Sequence, residues 1–514
     1  MLLCTLIFFG WQKFFIEPRM QATAPTAVST SSTAPTQQAQ EPSSKEGRSN
    51  TNHLSSAKTR KPPQTLPISM GTGEAILSDS GAFFSGWNLK NYKLGISAEA
   101  PAVNLQSVTH KEQQVQLAFD DPNLSYLNEV QGNLKKTAEG AIWTYEDSQV
   151  KMTREYLTNE QQPYFDIQIK TEFKNKSPKY AFVLLGSKAQ EKDPEAQDRQ
   201  FVYWTNQSIQ HVPLKDTIDQ KEISSPVKYV GATNRYFVMA LIAQAPLAPT
   251  GLIQPTGPYE GRASLVYPMT GNTLNIPLRV YFGPKDLEIL RQVEPTLDHT
   301  VDFGWFTFFA YPLLKLLKWF YQFVHNYGVA IILLTLLLKI LTYPLTYKSM
   351  KSMKKMAKLQ PQLQKLRDKY KDDREALNRE MLVMMRSQGY NPMAGCLPII
   401  IQMPIFFALY RVLYSSIELY HAPFAGWIQD LSIHDPFYVT PILLSITMFV
   451  QQKLTPNTAT DPAQARMMQL MPLIFGAFML SLPSGLTIYM LVNAIASIAQ
   501  QMILNKKFDT AGAK

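Results

Sequence analysis

The sequence predicts a polytopic α-helical membrane protein of six spans, with an all-β sandwich domain on one side of the membrane and a basic helical hairpin on the other. Three observations carry this. Beyond residue 327 the chain contains five apolar runs almost free of charge. Residues 67–283 instead show short β-branched and aromatic runs punctuated by Gly, Pro, Asn and Asp, the texture of a sandwich. Charge is divided the same way. Residues 71–300 hold 22 Lys and Arg against 26 Asp and Glu, whereas residues 301–514 hold 21 against 11, so the basic excess behind the net charge of +10 lies largely among the apolar runs. A chain of 514 residues that is 45% hydrophobic and 18% charged is neither disordered nor one compact soluble domain. Cys4 and Cys396 stand alone, and the seven histidines are scattered, which excludes a disulfide framework and a Cys or His metal cluster.

Residues 1–19 open with an apolar run, followed rather than preceded by Lys13 and Arg19, so they read as a retained anchor and not a cleaved signal. Met1 to Ile16 as helix reaches roughly 24 Å, short of the roughly 30 Å hydrocarbon core. The start therefore looks clipped, and a few to about a dozen upstream residues are expected. Residues 20–66, rich in Ala, Ser, Thr, Pro and Gln, form a flexible tether. The β domain follows over 67–283, with runs such as Ala181–Leu185, Tyr236–Leu241 and Leu278–Phe282; its acidic balance and the tether mark it as a separate module. His110 and His211 lie within it beside no nucleophile or carboxylate and read as structural. Residues 284–326 are a linker ending in a helix from Trp305 to Phe323, whose aromatics and two lysines, Lys315 and Lys318, suit a helix lying in the headgroup plane, although its length would also serve as a span.

A span over 327–346 leads to the hairpin at 347–390. Four more spans fall within 391–505, near 397–417, 437–452, 467–482 and 484–504, the shorter ones needing a thinned bilayer or snorkelling flanks. Residues 506–514 are a tail. The hairpin carries 12 Lys and Arg against 5 Asp and Glu, and the tail carries Lys506, Lys507 and Lys514, whereas 418–436 has Glu418, Asp430 and Asp435 and no Lys or Arg. Hairpin, tail and both termini are therefore cytoplasmic, and the β domain lies across the membrane.

Within the first of these spans Thr335, Lys339, Thr342 and Thr346 share one helical stripe. A lysine at mid-membrane costs about 2.5–3.5 kcal/mol, so Lys339 either faces a hydrated interior or snorkels to the headgroups; the threonines favour the interior. Gln402, and Asn493, Ser497 and Gln500 at helical spacing, would line the same cavity, although ordinary helix–helix hydrogen bonding explains them equally. The five spans contain no Asp or Glu, which counts against a proton or cation transporter. No catalytic constellation, metal site or cofactor motif is present in the sequence. The hairpin reads as two amphipathic helices, about 347–369 and 373–387. Met350, Met353 and Met356 stripe the first, ahead of Leu359, Leu363 and Leu366; Leu377, Met381, Met384 and Met385 stripe the second. These make either an internal seam or an adaptable binding face, and the basic side would attract anionic lipid or RNA.

Five motifs occur in order: Tyr343-Pro344-Leu345-Thr346, Asn391-Pro392-Met393-Ala394-Gly395-Cys396-Leu397-Pro398, Gln402-Met403-Pro404-Ile405-Phe406, Pro423-Phe424-Ala425-Gly426-Trp427-Ile428 and Leu482-Pro483-Ser484-Gly485-Leu486. Together they closely resemble the YidC family of membrane protein insertases, densely over 300–505, with the anchor, tether and β domain matching its Gram-negative form. The resemblance implies a five-helix core with a hydrophilic groove open to cytoplasm and lipid, a periplasmic β-supersandwich and a mobile cytoplasmic hairpin in the inner membrane. It also implies nascent membrane proteins as clients, action alone or beside Sec translocon components, contact with the ribosome and membrane lipid, and no DNA. The family's groove cation is usually Arg. Lys339 stands at that position, keeping the charge without the planar fork. Arg411 occupies a place where relatives carry an aromatic and reads as snorkelling. A small-anion channel or transporter using Lys339 as a selectivity charge, and a receptor whose β domain senses a ligand, remain the alternatives.

Overall fold

A computed structural model describes residues 63–81, 83–107, 115–158, 160–188, 198–215, 218–370, 373–387, 393–455 and 462–512. The anchor at 1–19, nearly all of the tether, His110 and the Asn391-Pro392 pair lie outside the described residues.

The β domain is built of antiparallel sheets. The longest runs β12 (Ser208–Pro213), β11 (Gln200–Thr205), β14 (Tyr229–Thr233), β15 (Phe237–Ala243), β18 (Thr273–Pro284), β9 (Phe165–Phe173), β8 (Val150–Leu157), β7 (Gly140–Glu146), β6 (Asn133–Thr137). A four-stranded sheet, β1 (Thr65–Met70) to β4 (Ala102–Ser107) through β2 (Gly73–Ser78) and β3 (Phe84–Lys93), packs on it. So does a five-stranded sheet ordered β13 (Lys221–Ile223), β16 (Thr250–Gly257), β17 (Glu260–Pro268), β10 (Tyr180–Lys188), β5 (Val115–Phe119). Aromatic pairs mark both contacts: Trp87 against Phe282 at 4.7 Å and Phe119 against Phe173 at 5.3 Å between ring centres.

Local sequence explains the layering. In β9, Phe165, Ile167, Ile169, Thr171 and Phe173 are buried while Asp166, Gln168, Lys170 and Glu172 are not, the alternation of a sheet with one solvated face. β15 is apolar throughout because both its faces are covered. Phe237 and Leu241 belong to the sandwich core; Val238, Ala240 and Ile242 pack into a second core that runs through the following helices.

Those helices are α1 (Leu287–Val293), α2 (Thr307–Val324), α3 (Tyr327–Lys369), α4 (Arg374–Ser387), α5 (Met393–Ser415), α6 (Val439–Leu454), α7 (Pro462–Met479) and α8 (Ser484–Gly512). Asp286 caps α1, accepting from the amides of Glu288 (2.8 Å) and Ile289 (3.1 Å). Leu287, Leu290 and Val293 of α1 join Tyr229 and Tyr281 of the long sheet to Leu313, Leu317, Ile331 and Leu409, so the β domain shares an apolar core with the helical part. A polar contact reinforces it: the Arg235 guanidinium lies 3.7 Å over the Tyr414 ring and donates to the carbonyls of Tyr414 and Ser432, while the Tyr414 hydroxyl donates to Asp198 (3.0 Å). The module set apart by composition is docked, not merely tethered.

Among the described residues two helical stretches are long and apolar enough to cross a membrane, Tyr327–Lys354 and Ser484–Lys507, with Gln469–Met479 a shorter apolar one. Leu336, Ile340 and Leu341 on α3, Ile442, Ile446 and Phe449 on α6, Leu473 and Ile474 on α7 and Ile495 and Ile503 on α8 are exposed, a concentration of large apolar side chains that lipid, not water, accommodates. α3 continues without interruption past the boundary expected at 346, through Pro344 and Pro361, to Lys369. α2 buries Ala310, Leu313, Leu314 and Leu317 and exposes Phe308, Phe309, Trp319 and Phe323. Lys315 is exposed. Lys318 is not: it turns inward to Asp286 (3.2 Å), Glu288 (3.5 Å) and Glu418 (3.4 Å).

The loop between α5 and α6 is held by buried acids. Asp435 accepts from the amides of Phe437 (3.0 Å) and Thr440 (2.8 Å), the Thr440 hydroxyl (2.8 Å) and the Trp427 indole (3.0 Å). Burial pushes its carboxyl up, but these donors outweigh burial and hold it below the usual carboxylate range. A depressed pKa stabilises the fold above the unfolded value, near 3.9, and that stabilisation is lost as pH falls through the folded pKa. Asp435→Ala should therefore loosen the loop by about 2–3 kcal/mol at neutral pH, read as faster amide exchange over 437–444, and the difference from wild type should shrink in strong acid.

Candidate functional site

Three helices bring the sequence-predicted polar residues together. Lys339 of α3 is half-buried, and its Nζ donates to Ser497 Oγ of α8 at 2.7 Å; that hydroxyl in turn donates to the Asn493 carbonyl at 2.7 Å. Gln402 of α5 donates from Nε2 to the Tyr489 hydroxyl at 3.0 Å. Tyr489 was not legible as a site residue, since an aromatic in an apolar helix reads as core. It lies one turn before Asn493 and extends the same stripe. Gln500 lies on the next turn beyond Ser497, with Nε2 buried and unpartnered among the described residues.

The threonines behave differently from the expectation of a wet stripe. Thr335, Thr342 and Thr346 donate to the carbonyls of Ile331 (2.7 Å), Leu338 (2.8 Å) and Thr342 (3.1 Å) on their own helix, which satisfies each hydroxyl without water. Thr335 is 1% exposed. The Thr440 and Thr487 hydroxyls pair at 3.0 Å, and Ser484 donates to the Asp430 carbonyl at 2.8 Å. Polarity and partial exposure thus rise from Thr335 toward Lys339, Thr342, Asn493 and Ser497.

In the hairpin Leu359 and Leu363 are buried, while Met353 and Met384 are half-buried; the side chains of Met356 and Met381 lie outside the described residues. Arg411 lies against Gly304, in the loop ahead of α2. Among the described residues no cluster of His, Cys, Asp or Glu could hold a metal ion.

The family described as "YidC periplasmic domain" matches residues 68–316, and that described as "60Kd inner membrane protein" matches 319–511. The membrane protein insertase YidC of Syntrophus aciditrophicus is 34% identical over 467 residues, 86% of this chain and 85% of the relative. Those of Geobacter metallireducens and Geotalea uraniireducens are 43% and 51% identical over 305 and 240 residues, 59% and 47% of this chain. The chain spans about half the length of these last two, 57% and 45%. A crystal structure of an active YidC insertase with its first transmembrane domain resolved is similar at a TM-score of 0.37 and 17% identity, over 86% of this chain and 92% of that one.

Proposed function

The chain belongs to the YidC family of membrane protein insertases, Gram-negative type, with a periplasmic β domain ahead of a helical inner-membrane core, and from that premise we propose that it receives nascent inner-membrane proteins in the α3–α5–α8 site and releases their spans sideways into lipid. The observation that carries this is Lys339: a half-buried cation held by a hydroxyl, with no carboxylate partner among the described residues. Such a charge is free to attract an acidic or polar tail. The half-buried polar side chains around it shorten the apolar distance that tail must cross, and Lys339 offsets part of its desolvation. The client's apolar span then leaves for lipid, driven by its own burial. No bond is made or broken in this scheme.

The spans in this reading are the N-terminal anchor, the first part of α3, α5, α6, α7 and α8, with both termini, the hairpin and the tail in the cytoplasm. At 16 residues, α6 reaches about 24 Å and favours a locally thinned bilayer, which lowers the same barrier. Met353 and Met384 suit an adaptable receiving face. Action alone or beside Sec translocon components, and contact with the ribosome, belong to the same proposal. The buried Thr335, Tyr489 and Thr440–Thr487 pair stand against a pore for small anions. Reconstitution into liposomes tests the reading. Insertion of a small single-span protein, scored by protection from external protease, is expected without anion flux; flux without insertion would overturn it.

A further inference from the structure

We propose that the loop joining β3 to β4, together with the start of the α5–α6 loop, is a docking site for anionic lipid headgroups of the periplasmic leaflet. The end of β3, the loop after it and the α5–α6 loop border an open cleft of about 490 Å³ lined by Lys90, Lys93, Ile96, Tyr420, His421 and Gln429, among others. The Tyr420 hydroxyl donates to the Lys93 carbonyl at 2.9 Å, fixing the β-domain loop onto the membrane core. Lys93 Nζ donates to the Ala98 carbonyl at 2.6 Å, closing the loop on itself and leaving its other two protons for a ligand.

The loop's tip is the unusual part. Leu94 and Ile96 are 64% and 60% exposed, flanked by exposed Lys90 and Lys93. Two aliphatic side chains beside two ammonium groups match a bilayer surface, where acyl chains lie below phosphates. The occupant follows from continuity. The α5–α6 loop ends the helices whose outer faces are apolar, and it exposes Trp427, Ile433, Phe437 and Tyr438, the aromatic and aliphatic composition of a membrane interface. The acids near the cleft are engaged or distant: exposed Glu99 stands at the far side of the loop, Asp430 is buried and engaged with Ser432 and His421 (3.6 Å), and Asp286 and Glu418, behind the lining Tyr92, are paired with Lys318.

The test uses the full chain in nanodiscs with and without phosphatidylglycerol. Ile96→Cys, in a background where Cys4 and Cys396 are Ser, carries an environment-sensitive fluorophore, and lipids carry a nitroxide quencher near the headgroup. Blue-shifted, quenched emission that strengthens with phosphatidylglycerol is expected. Lys90→Gln and Lys93→Gln should each lower the quenched population about fivefold. Water-like, unquenched emission in anionic discs would overturn the proposal, as would quenching equal in purely zwitterionic discs. Because none of these residues lies in the groove, client insertion scored on the same discs separates failure here from failure of the insertase reading.

Discussion

Lys339→Ala and Lys339→Met should sharply reduce insertion of clients with acidic translocated tails, whereas Lys339→Arg should retain it. A carboxylate 4 Å from the ammonium gains about 1 kcal/mol if the groove is as polar as water and about 4 kcal/mol at an effective dielectric near 20. Tail occupancy should therefore fall from about fivefold to several hundredfold, with clients bearing neutral tails affected least. Ser497 sharpens the expectation, because its hydroxyl fixes Nζ at 2.7 Å while donating onward to Asn493. Ser497→Ala removes that partner but not the charge, so its effect should be milder than that of Lys339→Ala. The readout is complementation and pulse-labelled insertion under depletion of the wild-type protein. Full complementation by Lys339→Ala would end the charge-attraction mechanism.

Local pattern made much of this architecture legible. The β domain runs from Thr65 to Pro284 against an expected 67–283, because its strands alternate or run apolar over short, well-punctuated segments. Lys339, Gln402, Asn493 and Ser497 stand out in the sequence because polar groups in apolar helices are few and helical spacing aligns them; the coordinates add the interhelical bonds Lys339–Ser497 and Gln402–Tyr489. The sequence was silent where partners lie far apart along the chain. Nothing local to Lys318 announces Glu418, and nothing in Tyr236–Leu241 says that its second face packs on α1 and the membrane helices. The threonine stripe marks a second limit. Spacing places hydroxyls on a face, but only coordinates reveal that they bond their own backbone.

Lys318 is where that long-range wiring should be most costly to break. It serves Asp286, Glu288 and Glu418, and Glu418, whose side chain is only 8% exposed, has no other ion-pair partner among the described residues. Glu288, largely exposed, contributes little. Lys318→Met should leave Glu418 and the α1 cap Asp286 facing each other without a cation, weakening the joint between β domain and core by about 3–5 kcal/mol, the usual effect of stripping one partner from a buried pair. Glu418→Gln added to Lys318→Met should recover most of that loss, since an amide needs no counterion. The pH dependence has a definite sign. Burial holds the Glu418 carboxyl above its ordinary range, with Lys318 pulling it down and Asp286 adding to the rise. A raised folded pKa means that the joint is most stable below the unfolded value, near 4.3, and loses stability as pH rises through the folded one. With Lys318 gone the folded pKa climbs further, so the single variant should dock well in mild acid and loosen toward neutrality, opposite to the direction expected of Asp435. Amide exchange over α1 and α2 in the full chain, at neutral and acidic pH, reads this directly. Unchanged protection of Leu290 and Leu317 in Lys318→Met at neutral pH would show that the apolar core alone holds the joint.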